Sequence, residues 1–310
     1  MLLGLLVTGA SAAPYPERAL RLIVPFPPGG GADTIARLLV QPLSDALGQQ
    51  IVVDNRGGGS TIIGAQLAAK STPDGYTLFF SPNQLVINPL AFPKLPYDPA
   101  RDFASVAGIG SAALMLVVNP KLEARSVAQL IALAKAKPGT LNVASSGSYG
   151  PPHLAGELFK HMTQTNMVHI PYKGSGIALP ALVGGQVQLM FATIPSVLPQ
   201  VRADRLRALA VTSAKRAEEV PNLPTVAETV PGFDVIVWYA MVAPAKTPPQ
   251  IVKRLNADIN RILQSAEFRQ QMARNGTETM PGTAEDLTRF LRAETKKWRA
   301  VLQNIDKSET

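Results

Sequence analysis

A chain of 310 residues with 46% hydrophobic content is long enough for two domains, each burying its own core. The formal charge of +8 attracts anions, but the lysines and arginines are scattered and never run beyond two, so a nucleic-acid partner is not expected. There is no cysteine, which excludes disulfides, thiolate metal sites, cysteine nucleophiles and a lipid anchored on cysteine.

Residues 1–13 read as the end of a secretory leader, with an apolar run from Leu2 to Val7 and Ala10-Ser11-Ala12 as a small-x-small cleavage pattern. The apolar run is too short to span a bilayer. Leu22-Ile23-Val24 then predicts a buried strand, stopped by Pro25, Pro27 and Pro28. Gly29, Gly30 and Gly31 follow. Ile35, Leu38, Leu39, Leu43 and Leu47 next recur at the spacing of an amphipathic helix, which Pro42 is expected to kink and Gly48 to end. A strand, a glycine loop and a helix start together make a place for an anion, because the first helical N–H groups have no partner and glycine lets the backbone approach. The nucleotide motifs fail here, since a P-loop lysine is absent and Thr34 stands where a dinucleotide fingerprint needs glycine. The loop alone is as compatible with a plain chain turn.

Ile51 to Val53 is a second predicted strand, followed by a helix over 61–70, the turn Pro73-Asp74-Gly75 and a third strand from Tyr76 to Phe80, which Asn83 leaves at the edge where α/β ligands bind. Residues 89–99 are proline-rich and read as irregular. Val106 to Val118 is extended and longer than an ordinary strand, as a segment crossing between domains would be. Ser126 with Gln129 predicts a capping box for a helix ending at Pro138-Gly139.

Leu141 to Ala144 predicts a strand that enters Ser145-Ser146-Gly147-Ser148-Tyr149-Gly150 and opens a helix at His153, repeating the earlier device. Further strands are predicted at Val168 to Ile170, Val187 to Phe191 and Leu206 to Val211. Phe233 to Ala243 is a second long extended run, a natural return crossing. Thr247 and Gln250 predict a capped helix to about Ser265, and Thr283 caps a last helix with Trp298 on its core face.

Catalysis is not expected. None of Ser145, Ser146 and Ser148 has glycine two positions on either side, so no nucleophile elbow is present, and His153 has no visible oriented partner. The three histidines are spaced by eight residues, which on a helix is roughly 12 Å, too far for one metal ion. No metal and no cofactor are expected.

The motifs YPERALRLIVPFPPGGGADTIARLL, VVDNRGGGS, PDGYTLFFS, NVASSGSYGPPHLAGELF, VHIPYKGSGIALPALVGGQV, LRALAVTSAKR, LPTVAE and WYAMVAPAKTP follow one another along nearly the whole chain. In this order they resemble the Bug (TctC-like) family, the extracytoplasmic solute-binding proteins of tripartite tricarboxylate transporters. The resemblance implies an α/β, type II periplasmic-binding fold: two α/β domains joined by two crossing strands, with a ligand cleft between. Domain 1 would be 14–112 and 238–310, and domain 2 would be 113–237. The implied function is that of a periplasmic receptor, free of a lipid anchor, which closes on a small carboxylate and hands it to the permease subunits in the membrane. It would not be an enzyme, and a monomer is expected. The implied carboxylate site takes Phe26, Gly29, Gly30, Gly31, Ala32 and Asp33 from one loop. From the other it takes Ser145, Ser146, Gly147, Tyr149 and His153, with Asn83, Tyr172, Lys173, Ala192 and Thr193 as walls. Asp33 is expected to shape its loop or hold a water, since a bare carboxylate would repel the ligand. The ligand could be a dicarboxylate, an aromatic acid, or an amino or nicotinic acid derivative. The competing readings are a sensor or scavenger without transport, and a serine hydrolase. Three departures from the family pattern stand out: Pro42 in the first helix, Gly57 in place of a common proline, and Gln188 where aspartate is frequent.

Overall fold

A computed structural model describes residues 15–29, 31–172 and 174–303. The leader read at 1–13 and the site candidates Gly30 and Lys173 lie outside the described residues. The chain begins β1 (Leu20–Val24), α1 (Gly31–Leu47), β2 (Ile51–Asn55), α2 (Ile62–Ala69), β3 (Thr77–Pro82), α3 (Gln84–Ala91) and α4 (Pro99–Asp102). It continues through β4 (Phe103–Val118), α5 (Val127–Ala136), β5 (Asn142–Ser145), α6 (Pro151–Thr163), β6 (Val168–Pro171), α7 (Ser175–Val183), β7 (Leu189–Thr193), α8 (Ile194–Arg202) and β8 (Arg207–Val211). It ends with β9 (Ile236–Pro244), α9 (Pro249–Gln264), α10 (Ala266–Arg274), β10 (Glu278–Thr279) and α11 (Ala284–Leu302).

The strands follow the order β2-β1-β3-β9-β4-β7-β5-β6, and β8 and β10 also pair with β4. β1 lies between β2 and β3, all parallel, and β5 lies between β6 and β7, all parallel. The two long strands are antiparallel to their neighbours. β4 pairs with β9 from Phe103 to Ala113 and then with β7 from Leu114 to Val118, so it leaves one sheet and enters the other within one residue. Two register shifts against β9, at Ser105/Ala107 and Gly108/Gly110, bend β4 before that handover. Glycine is required there: a Cβ at Gly108 would lie 2.7 Å from the Met280 carbonyl oxygen.

The inner parallel strands β1, β3, β5 and β7 are largely buried on both faces, which explains their apolar runs, while the edge strands β2 and β6 are partly exposed. Leu22 and Val24 point into a core with Ile35, Leu39 and Leu43 of α1 and Leu255 and Ile259 of α9, whereas Ile23 points to the other face. β4 alternates in the same way: Met115 and Val117 enter a third core with α7 and α8, and Leu114, Leu116 and Val118 face the α5 and α6 side. This is the two-domain periplasmic-binding fold, with its sheet order running continuously from one domain to the other.

α1 runs through Pro42 and stops at Leu47, just before Gly48, as expected. The proline costs the bond to the Leu38 carbonyl, but Leu39 and Leu43 stay buried on either side, and packing outweighs the loss. Other local expectations change. α3 occupies a stretch read as leading into irregular chain, with Pro89 in its last turn. Thr247 does not cap α9. Its hydroxyl donates back to the Pro244 carbonyl at 2.7 Å and turns the chain out of β9 instead. At α5, Ser126 accepts from Gln129 N–H as expected, but the Gln129 side chain accepts from Arg125 rather than from the cap residue. Gln188 accepts the Asn142 N–H at 2.9 Å, at the amino ends of β5 and β7 and therefore opposite the loops considered next.

Candidate functional site

Loops that follow parallel strands gather at the carboxyl edge of their sheet, where α/β folds place ligands. In the first half these are the loops after β1 and β2. Asp33, in the first turn of α1, is buried, and its carboxylate ties the loop together. One oxygen accepts the Gly29 N–H at 2.9 Å and Arg37 Nε at 2.8 Å, and the other accepts Asn55 Nδ2 at 2.8 Å. Asn55 also donates to the Phe26 carbonyl at 2.9 Å, so the end of β2 fixes both ends of the turn. Burial alone would raise the Asp33 pKa, but hydrogen bonds from Arg37, Asn55 and Gly29 hold it below the usual carboxylate range. Asp33 is thus ionised, neutralised by Arg37 and used up as an acceptor. It shapes the loop, the first of its two expected roles.

Gly29 has φ +80, and a Cβ there or at Gly31 would meet nothing within 4 Å, so both glycines border open space. The Gly29 N–H is committed to Asp33. Gly31 and Ala32 start α1, and their N–H groups have no partner one turn back. Asn83 is buried, and both ends of its amide are engaged by β9: Nδ2 donates to the Ile236 carbonyl at 3.0 Å and Oδ1 accepts the Trp238 N–H at 2.9 Å. It joins the edge of β3 to the return strand.

In the second half the loops after β5, β6 and β7 assemble. Tyr172 N–H donates to the Ser145 carbonyl at 3.0 Å, which joins the first two. Gly147 has φ +143, and Tyr149 has φ +59. Tyr149 N–H donates to His153 Nδ1 at 2.9 Å, which leaves the proton of a neutral His153 on Nε2, 3.5 Å from Glu157 Oε1. The His153 ring stacks on His169 at 3.8 Å, and His169 Nε2 lies 2.7 Å from Ser145 Oγ. Lys160 pairs with Glu157 at 2.6 Å behind them. Burial first, and then the neighbouring His153, push the His169 pKa down to about 4. Ser146 is half-buried, Ala192 is buried in β7 and Thr193 is exposed at the start of α8, its hydroxyl 3.0 Å from Ser196 Oγ.

This loop does not repeat the first as the sequence pattern suggested. α6 begins with Pro151 and Pro152, which have no N–H, so the helix end offers little to an anion. Donors on this side come from the loop and its hydroxyls. The Ser145–His169 contact resembles a nucleophile and base, but Ser145 is fully buried and also bound to the Gly147 carbonyl at 3.0 Å. No substrate carbon can reach it. Among the described residues no cluster of three His, Asp or Glu is placed to hold a metal.

Each loop cluster is held by side chains that the sequence did not single out: Asn55 and Arg37 on one side, His169 and Glu157 on the other. Asn55 ends a parallel strand and was findable by that rule; His169 needed the pairing of β5 with β6. The halves also touch through Phe92, just after α3, whose ring meets Tyr149 edge-on at 5.8 Å.

Residues 35–307 match the tripartite tricarboxylate transporter family receptor model. The chain belongs to this receptor family. The receptor is 40% identical to the protein BugT of Bordetella pertussis over 296 residues, 94% of this chain and 91% of BugT. Its fold superposes on R. palustris Rpa4515 with adipate at a TM-score of 0.82 and 37% identity, covering 94% of this chain and 98% of that one. MatC from Rhodopseudomonas palustris with bound malate gives 0.78 at 30% identity, covering 93% and 100%. The family is one of transporter receptors, and the receptor is not an enzyme. Among its described residues no helix is long and apolar enough to cross a membrane.

Proposed function

We propose that this receptor captures a small carboxylate between its two halves in the periplasm and delivers it to the permease of a tripartite tricarboxylate transporter. The halves are 14–112 with 238–310, and 113–237, and residues 1–13 serve as the export leader. The observation that carries the ligand class is the Asp33 clamp. It holds the glycine loop open, leaves the start of α1 facing the loop and cancels its own charge with Arg37. A neutralised, pre-formed N–H cradle suits a carboxylate, and charge-assisted bonds there need no buried arginine. The adipate and malate seen in relatives support a dicarboxylate. Gly31 and Ala32 donate on one side and the Ser146 backbone on the other, where the Gly147 N–H is held by Ser145 Oγ, with Tyr149, Tyr172 and Thr193 forming the distal wall.

A thermal-shift screen of the chain from Pro14 onward tests this with adipate, malate, citrate, aromatic acids and the matching amides. A ligand bound only by the folded state raises the melting temperature. One acid should stabilise the protein while its amide does not, and Asp33→Ala should abolish that shift. Stabilisation by amides and acids alike would overturn the carboxylate reading.

A further inference from the structure

A cavity of about 640 Å³ is lined by none of the residues assigned above to the two loop clusters. It opens between α3, α4, the start of β4 and α11. That volume is in the range of small-molecule sites, and like them it is walled mainly by apolar groups. Leu85 and Leu90 of α3, Phe103 of β4 and Leu291 of α11 supply the walls. Ser105 and Thr288, joined hydroxyl to hydroxyl at 2.9 Å, supply a polar spot.

The border is charged on one side. Arg292, Lys296 and Arg299 line the cavity from successive turns of one face of α11, and all three are exposed. Among the described residues none of their side chains makes an ion pair or hydrogen bond. Their neighbours on the same helix do: Arg289 with Asp286, and Lys297 with Glu294. The carboxylate that lines the cavity, Asp98, accepts the Ala100 N–H and caps α4. Three uncompensated cations beside an apolar hollow match an anion that carries an apolar tail.

We propose that this cavity is a second ligand site, taking an amphipathic anion whose head meets Arg292, Lys296 and Arg299 and whose tail lies between α3 and α11. The site is independent of the carboxylate cleft, and its test does not require the cleft ligand. Sodium decanoate below its micelle concentration is titrated calorimetrically into the chain from Pro14 onward. Decanol and decyltrimethylammonium serve as uncharged and cationic controls, and phosphatidylglycerol vesicles as the lipid source of the same chemistry.

Decanoate is expected to bind at one site and the controls to bind far more weakly. The exposed triple variant R292Q/K296Q/R299Q should weaken decanoate about tenfold, as expected when three exposed charges are removed together. Asp33→Ala, which opens the cleft clamp, should leave decanoate binding unchanged. Vesicle binding that needs the same three cations identifies a lipid as the source, and decanoate binding without it identifies a free acid. The proposal is overturned if decanoate does not bind, if decanol binds as well, or if Asp33→Ala abolishes binding that the triple variant retains.

Discussion

His169 sits under the second loop with its ring stacked on His153 and its Nε2 against Ser145. Its pKa of about 4 is below the ordinary 6.5. Between those values the unfolded chain binds a proton that the folded chain refuses. Stability from this group is therefore complete above about pH 6.5 and falls as the pH drops toward 4. His169→Gln keeps a hydrogen-bonding end for Ser145 and does not titrate, so it should flatten the loss in that window. Urea midpoints of both proteins across the window measure this, and parallel curves would refute the role given to His169. The sequence made Ser145 and His153 visible through their loop, and it made the glycines visible through their run. It hid His169, because its role arises only when β6 lies beside β5, whereas Asn55 could be found as the end of a parallel strand. It also overstated the second helix end, where two prolines remove the donors that the pattern promised.

At the scale of elements, the return strand and the last helix are locked by one buried carboxylate. The indole N–H groups of Trp238 on β9 and Trp298 on α11 both donate to Glu294 Oε2 at 3.0 Å, and Lys297 pairs with the other oxygen. Glu294→Ala would leave two buried indole donors unmet and is expected to cost roughly 3 kcal/mol, with Glu294→Gln costing less because one acceptor remains. Chemical denaturation checks both, and a loss under about 1 kcal/mol for alanine would show that water takes over the carboxylate's place. Long apolar runs and Thr283 made β4, β9 and α11 readable in advance. α3, α8 and α10 were not, since α3 and α8 carry prolines inside and α10 is short and mostly polar. Propensity speaks against each of the first two, and their buried faces, Leu85 to Asn88 and Ile194 with Val197, decide the matter.

The whole molecule turns on β4, which serves both sheets, and on β9 beside it. Two bulges lie just before the handover at Ala113/Leu114, where a change of twist displaces either half as a body. If a dicarboxylate draws the halves together, saturating adipate should lower the radius of gyration in solution scattering and adipamide should not. An unchanged radius with adipate bound would mean that capture occurs without closure. The same shared strand dictates the order in which the chain can fold. The second half can complete its sheet from β4, β5, β6, β7 and β8 alone, but β3 must wait for β9, with Phe79 opposite Val242. The first half therefore stays open, its β3 edge unpaired, until β9 at Ile236–Pro244 has been made. A product truncated before Ile236 keeps one finished half and one sticky, unfinished half, and its fate is aggregation or proteolysis rather than a smaller working receptor.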